Sequence, residues 1–339
     1  MRNRLKVMSI FGTRPEAIKM APLVKALERS ERVESLVCVT AQHREMLDQV
    51  LGIFEIVPNY DLDIMKDRQS ITGITTRVLE GLEEVIRDAK PDIVLVHGDT
   101  TTTFAGALAA FYNKVKIGHV EAGLRTYNKH EPFPEEMNRV LTTSLADLHF
   151  APTFKAKENL LREGVNEEII FVTGNTAIDA LKLTLDDAHV FEEAVLNSID
   201  FHNSRVIAVT AHRRENLGEP LEEICHAISH IVEQYSDVEI VYPVHMNPVV
   251  RETVNSILGS HPRIHLIDPV NIKDMHNLLS KSYMVMTDSG GLQEEVPSMG
   301  KPVLVLRNVT ERPEGVEAGT LKLAGTNKDT IVRLAQELL

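Results

Sequence analysis

The stretch PDIVLVHGDTTTTFAGALAAFYNKVKIGHVEAG (91–123) decides the fold. Its β-branched runs DIVLVHG (92–98) and KIGHV (116–120) read as strands, and the segment between them opens on Thr100 to Thr103, residues that cap helices. A strand, a helix and a second strand in this rhythm make a parallel pair joined by a helical crossover. The same rhythm runs outward in both directions. Toward the N-terminus lie LKVMSIF (5–11) and ESLVCVT (34–40), and toward the C-terminus EIIFV (168–172), RVIAVT (205–210), EIVYPV (239–244), RIHLI (263–267), YMVMT (283–287) and PVLVL (302–306). Intervening segments carry helical periodicity: in ITTRVLEGLEEVIRDA (74–89), Ile74, Val78, Leu82, Val85, Ile86 and Ala89 fall on one stripe. Between Gly174 and Ser204 the pattern turns polar and helical and lacks a strand. A domain boundary is expected there, giving doubly wound α/β halves over residues 1–175 and 176–339.

The chain has 339 residues, 43% apolar and 25% charged, an ordinary globular composition with room for two cores. Its net charge of −13 disfavours a general nucleic-acid binder, which needs excess Lys and Arg against phosphates. Only Cys38 and Cys225 are present, which excludes a disulfide framework and a Cys-rich zinc site. The start, MRNRLKVMSIFGTRPE, lacks the pattern of a secretory signal, and no window approaches a membrane span. A cytoplasmic protein with no membrane partner is expected.

Ligands of doubly wound sheets bind beyond the carboxyl ends of the strands, so those loops are where chemistry is sought. In FGTRPEAIKMAPL (11–23), Gly12 allows a tight turn, Pro15 and Glu16 suit a helix start, and Arg14 stands where a guanidinium can grip a diphosphate. Lys19 is spaced to pair with Glu16. No GxGxxG or P-loop fingerprint accompanies this turn. Asp99 is either an N-cap or a carboxylate aimed at ligand; Glu121 emerges from the neighbouring strand end, and Glu135 and Glu136 start a helix behind Pro134. Converging acids push pKa values apart, which suits proton transfer, and because no HxH, HExxH or DxD pattern accompanies these acids no metal is expected.

In the second half, His212, Arg213 and Arg214 at a strand end read as an anion clamp, with one Arg expected to pair with Glu215 or a helix carboxylate; His245 faces the same edge. Ser289, Gly290 and Gly291 follow a strand and open a helix, a geometry that holds phosphate on backbone N–H groups. Glu294 and Glu295 are placed to accept from ribose hydroxyls, and Arg312 is either a ligand or a partner of Glu311 or Glu314.

FGTRPEAIKMAPL, HGDTTTT, HVEAGLRT, PEEMNR, TGNTAIDAL, TAHRRENLG, TDSGGLQEE and TERPE, in this order, resemble the non-hydrolysing UDP-N-acetylglucosamine 2-epimerases, over Leu5 to about Gly325. The resemblance implies two Rossmann-like domains of the GT-B kind around an interdomain cleft. It also implies reversible interconversion of UDP-GlcNAc and UDP-ManNAc without NAD or metal, for cell-envelope polysaccharide synthesis, by a homodimer. By match to the family motifs, Asp99, Glu121 and Glu135 are the acid/base candidates. Arg14, Lys19, His212, Ser289, Gly290, Gly291, Glu295 and Arg312 line the UDP part of the site, with His212 also counted among the catalytic groups. A second UDP-GlcNAc, an allosteric activator, is expected at Gln42, His43, Arg68, Gln69, Glu135, Arg213 and His245. Two departures stand out: Val270 replaces a polar residue that some relatives place near the uracil, and a last helix returning to the first domain is expected past Leu339. A hydrolysing epimerase releasing ManNAc and UDP starts from the same elimination and stays open. A glycosyltransferase would not explain three acids in the first half, and a non-catalytic nucleotide-sugar sensor could dispense with them.

Overall fold

A computed structural model describes residues 4–41, 44–66, 69–310 and 312–339. The chain divides into two compact units, Met1–Leu183 and Thr184–Leu339. In the first, strands β1 (Leu5–Phe11), β2 (Val33–Val39), β3 (Tyr60–Asp61), β4 (Ile93–His97), β5 (Lys116–Val120), β6 (Leu148–Ala151) and β7 (Ile170–Val172) form one parallel sheet. Their order is β3-β2-β1-β4-β5-β6-β7, so chain direction across the sheet reverses between β1 and β4. The second unit's sheet, also parallel, holds β8 (Arg205–Thr210), β9 (Val238–Pro243), β10 (Ile264–Ile267), β11 (Met284–Thr287), β12 (Val303–Val305) and β13 (Leu321–Leu323) in the order β10-β9-β8-β11-β12-β13. Its reversal falls between β8 and β11. Each reversal opens a crevice at the carboxyl ends of its two strands, where the loops that follow them face ligand.

The apolar runs carry no in-out alternation because both faces of each sheet are covered. On β1, Val7 and Phe11 enter the core that contains Met20 and Val24 of helix Arg14–Glu28, whereas Met8 and Ile10 enter the opposite core with Val78 and Leu82 of helix Ile71–Ala89. β8 repeats the device, with Ile207 and Val209 on one face and Val206 and Ala208 on the other. The stripe of helix Ile71–Ala89 is buried at Ile74, Val78, Leu82, Val85, Ile86 and Ala89, and Ser70 caps its start by accepting from the Gly73 N–H. Fully burying a Val or Leu of this kind contributes about 1.5–3 kcal/mol.

Three strands have no counterpart in the sequence reading: β3 is two residues long, and β6 and β13 are brief pieces beside polar neighbours. Ala180 of helix Thr176–Thr184 is packed in the first unit's core, and the division after Leu183 falls within the polar stretch between Gly174 and Ser204. The final helix, Lys328–Gln336, buries Ile331, Val332 and Ala335 in the core of the second unit. Among the described residues no helix is long and apolar enough to cross a membrane.

Candidate active site

In the first unit the polar groups gather at the ends of β1, β4 and β5. Helix Arg14–Glu28 starts from Thr13 in a capping box with Glu16, which is 2% exposed. Oε2 of Glu16 accepts from the N–H groups of Gly12 (3.1 Å) and Thr13 (2.8 Å) and from the Thr13 hydroxyl (2.8 Å). Its Oε1 accepts from the hydroxyls of Thr100 (2.6 Å) and Thr103 (3.2 Å), so one side chain ties the turn after β1 to the turn after β4. Burial raises the pKa of Glu16, and the bonds from Thr100, Thr13 and Gly12 oppose that shift. Gly12 is required by close approach: a Cβ there would lie 1.9 Å from Oγ1 of Thr40.

Lys19 does not pair with Glu16. Its ammonium contacts Oε2 of Glu121, the same oxygen that lies 3.8 Å from Nε2 of His97. Glu121 sits at φ +62°, a left-handed conformation that costs a residue with a side chain of order 1–3 kcal/mol and collects at functional sites. Burial by itself would raise the Glu121 carboxyl, but His97, Lys19 and Arg139 together hold it below the usual range. His97 is buried and pushed down to about 4, hence neutral at pH 7, so Lys19 and Arg139 supply the standing positive charge. The neighbouring Gly98, at φ +69°, turns the chain beneath Glu121, and its carbonyl accepts from Nε2 of His119 at 2.7 Å.

Asp99 is not the helix cap. Thr100 fills that role, accepting from the Thr103 N–H at 3.1 Å, while the Asp99 carboxylate pairs with Arg139. Arg139 also reaches Glu136 (3.1 Å), a buried carboxylate that accepts from the backbone N–H groups of Thr126 and Tyr127. Asn138 donates to the Asp99 carbonyl at 2.9 Å, which fixes the loop from a second direction. Glu135 opens helix Glu135–Leu145, partly exposed and bonded to no described side chain. Arg14, at the mouth of the β1 turn, is exposed.

The second unit has its own polar strand-end loops. After β8, the loop with His212 and Arg213 folds over Asp288, which is fully buried at the end of β11. His212 stacks on His245, with ring centroids 5.1 Å apart and planes 5° from parallel. Behind Asp288, the Ser289 N–H donates to Thr287 Oγ1 at 2.9 Å. The N–H groups of Gly290 and Gly291 donate to no described residue and are available to an anion. Helix Leu292–Glu295 is a single turn that continues as 3-10 helix Val296–Met299.

Glu295 faces His276, Oε2 to Nε2 3.6 Å, and that buried ring shares a 2.6 Å bond with the Thr184 hydroxyl through Nδ1. Arg312 pairs with Glu294, and Glu215 pairs with Arg307 (2.7 Å). Val270 packs against the apolar cluster under this sheet. Of the expected effector residues, Gln42, His43 and Arg68 lie outside the described residues. Gln69 accepts from Arg77 at 2.7 Å, and Nδ1 of the exposed His245 accepts from the Asn247 N–H at 3.1 Å. Among the described residues no group of three or more His, Cys, Asp or Glu could hold a metal ion.

Sequence reading passed over Glu16 as a loop clamp, Arg139, His276 and Asp288. Asp288 alone carried a signal, as the charge that closes an apolar strand just before Ser-Gly-Gly.

Two parallel α/β domains, each with polar strand-end loops at its switch point, define a two-domain Rossmann-like protein of the GT-B class. The sequence pattern of the UDP-N-acetylglucosamine 2-epimerase family matches residues 25–339, and the chain belongs to that family. It is 60% identical over 336 residues to the UDP-N-acetylglucosamine 2-epimerase of Bacillus subtilis, covering 99% of this chain and 87% of that protein. The crystal structure of UDP-GlcNAc 2-epimerase from Neisseria meningitidis bound to UDP-GlcNAc is 51% identical with a TM-score of 0.84, covering 98% of this chain and 91% of that one. The Methanocaldococcus jannaschii UDP-GlcNAc 2-epimerase in complex with UDP-GlcNAc and UDP is 36% identical with a TM-score of 0.76, covering 99% and 93%.

Proposed function

We propose that this protein interconverts UDP-GlcNAc and UDP-ManNAc at C2 by a non-hydrolysing elimination and re-addition, supplying envelope polysaccharide synthesis in the cytoplasm as a homodimer. The C2 proton is not next to a carbonyl, so no simple enolate forms on its removal. Elimination avoids that barrier: the C2–H and C1–O bonds break, C1=C2 forms, and the products are 2-acetamidoglucal and UDP. Re-addition returns the proton to the other face of C2 and UDP to C1.

The observation that carries this reading is Glu121, a largely buried carboxylate kept ionised by Lys19 and flanked by Asp99 on the adjoining strand end. An ionised carboxylate largely withdrawn from water is a base, and a two-face transfer needs partners, for which Asp99 and Glu135 are the candidates. Departing UDP requires fixed cations and N–H donors. His212, the Gly290 and Gly291 N–H groups, Arg14 and Arg312 are proposed for the diphosphate, and Glu295, steadied by His276, for ribose hydroxyls. Lys19 is read as the partner that keeps Glu121 ionised while lining the same site.

A proton NMR time course with UDP-GlcNAc in D2O tests the reaction. UDP-ManNAc carrying deuterium at C2, with the nucleotide-sugar intact, is expected. Free ManNAc with UDP selects the hydrolysing reaction, and an unchanged spectrum leaves a binding protein. We further propose activation by a second UDP-GlcNAc near Gln42, His43, Arg68, Gln69, Glu135, Arg213 and His245. The initial rate with UDP-ManNAc alone should then rise on adding a trace of UDP-GlcNAc, and a flat response removes the effector site.

A further inference from the structure

The two oxygens of Asp288 are treated unequally. Oδ2 accepts from the N–H groups of His212 and Arg213, both at 2.8 Å, and from the Asn216 amide at 3.0 Å. Oδ1, equally buried in a residue with no exposed surface, has no hydrogen-bond partner among the described residues and lies 3.6 Å from Nδ1 of His212. Buried carboxylate oxygens take donors when one is in reach, and at 3.6 Å Nδ1 lies just outside bonding distance. The ring is backed on its flat face by His245.

We propose that Asp288 is the positioning residue of His212: it keeps a proton on Nδ1 and supplies the counter-charge when the ring becomes imidazolium beside a diphosphate. The inference rests on the reading of His212 as a diphosphate ligand and extends it to the source of the ligand's charge. A proton held on Nδ1 leaves Nε2, on the opposite edge of the ring, to meet the anion. Among the described residues the groups facing His212 are Asp288 just after β11, His245 just after β9, and Arg213 on its own loop. Burial, His245 and Arg213 all disfavour the imidazolium, and Asp288 alone favours it, so the free ring titrates below its ordinary value. An arriving diphosphate adds its negative charge to that of Asp288 and tips the balance. UDP binding then takes up a proton, and UDP departing from a sugar meets a full cation.

The test is Asp288→Asn, which keeps an oxygen for the His212 and Arg213 N–H groups and removes the charge. His212 is followed by imidazole NMR titration, assigned with His212→Gln, in the free protein and with UDP. Proton uptake on UDP binding is read by calorimetry in buffers of different ionisation enthalpy. In D288N the His212 midpoint should fall by about one pH unit, with linked uptake lost and UDP affinity at pH 6.5 about tenfold weaker. At pH 8.5, where the ring is neutral in both proteins, the affinities should agree within about twofold. An unchanged midpoint with unchanged proton uptake overturns the proposal and leaves Asp288 as a loop scaffold. The wild-type protein supplies a check independent of the variant's folding: nitrogen shifts should show the Nδ1–H tautomer, and an Nε2–H tautomer overturns the proposal as well. Failure of the wild type to bind UDP defeats the diphosphate reading instead, and the free-protein titration still decides what Asp288 does to His212.

Discussion

Glu121→Gln should lower kcat for epimerisation by about 10²- to 10⁴-fold, the usual cost of losing a general base, while KM changes far less. The amide has the carboxylate's size and keeps an acceptor for Lys19, but it cannot take a proton from C2. The variant also leaves the Lys19 ammonium without its counter-ion in a place where Glu121 is 11% and Lys19 27% exposed. That loss is expected to cost about 1–3 kcal/mol of stability, readable as a lower urea midpoint with an unchanged circular dichroism spectrum. Steady-state rates with UDP-GlcNAc decide the matter. Activity within tenfold of the wild type would reduce Glu121 to a structural partner of Lys19 and move the base to Asp99 or Glu135.

Acid should unfold the first domain well before carboxylate protonation does. His97, His119 and His149 are buried in neighbouring strands β4, β5 and β6, and burial pushes their pKa values down to about 4, about 3 and about 4. In the unfolded chain an imidazole titrates near 6.5. Above that pH the rings are neutral in both states and contribute nothing to the pH dependence. Between pH 6.5 and about 4 the unfolded chain binds protons that the folded chain refuses, so stability falls as pH falls. Each ring costs about 1.4 kcal/mol per pH unit across that window, large against a domain's total stability of 5–15 kcal/mol. Urea unfolding at pH 7 and pH 5 measures the slope. His149→Gln, which removes one ring, should reduce the slope by roughly a third of the imidazole contribution. A stability that stays level from pH 7 to pH 5 would mean these rings are reached by water or paired in their charged form.

The sequence by itself determined the covered parallel sheets and where their polar strand-end loops lie. Runs such as DIVLVHG and RVIAVT are apolar on both faces, which only a sheet with helices on each side can bury, and the polar residues that break them mark the strands' carboxyl ends. Local spacing was also enough for the buried stripe of helix Ile71–Ala89. It was not enough for partners. Lys19 is one turn from Glu16 but binds Glu121, and Asp99 is beside capping threonines but binds Arg139. Helix and turn spacing fixes only what a side chain can reach within its own element. Which distant carboxylate arrives beside a cation depends on strand order, and the reversals between β1 and β4 and between β8 and β11 are set by packing of the whole domain. The same holds for the buried histidines and for Asp288. Burial strips water from a group and shifts its charge, and burial is a property of the surroundings that the tertiary fold alone supplies.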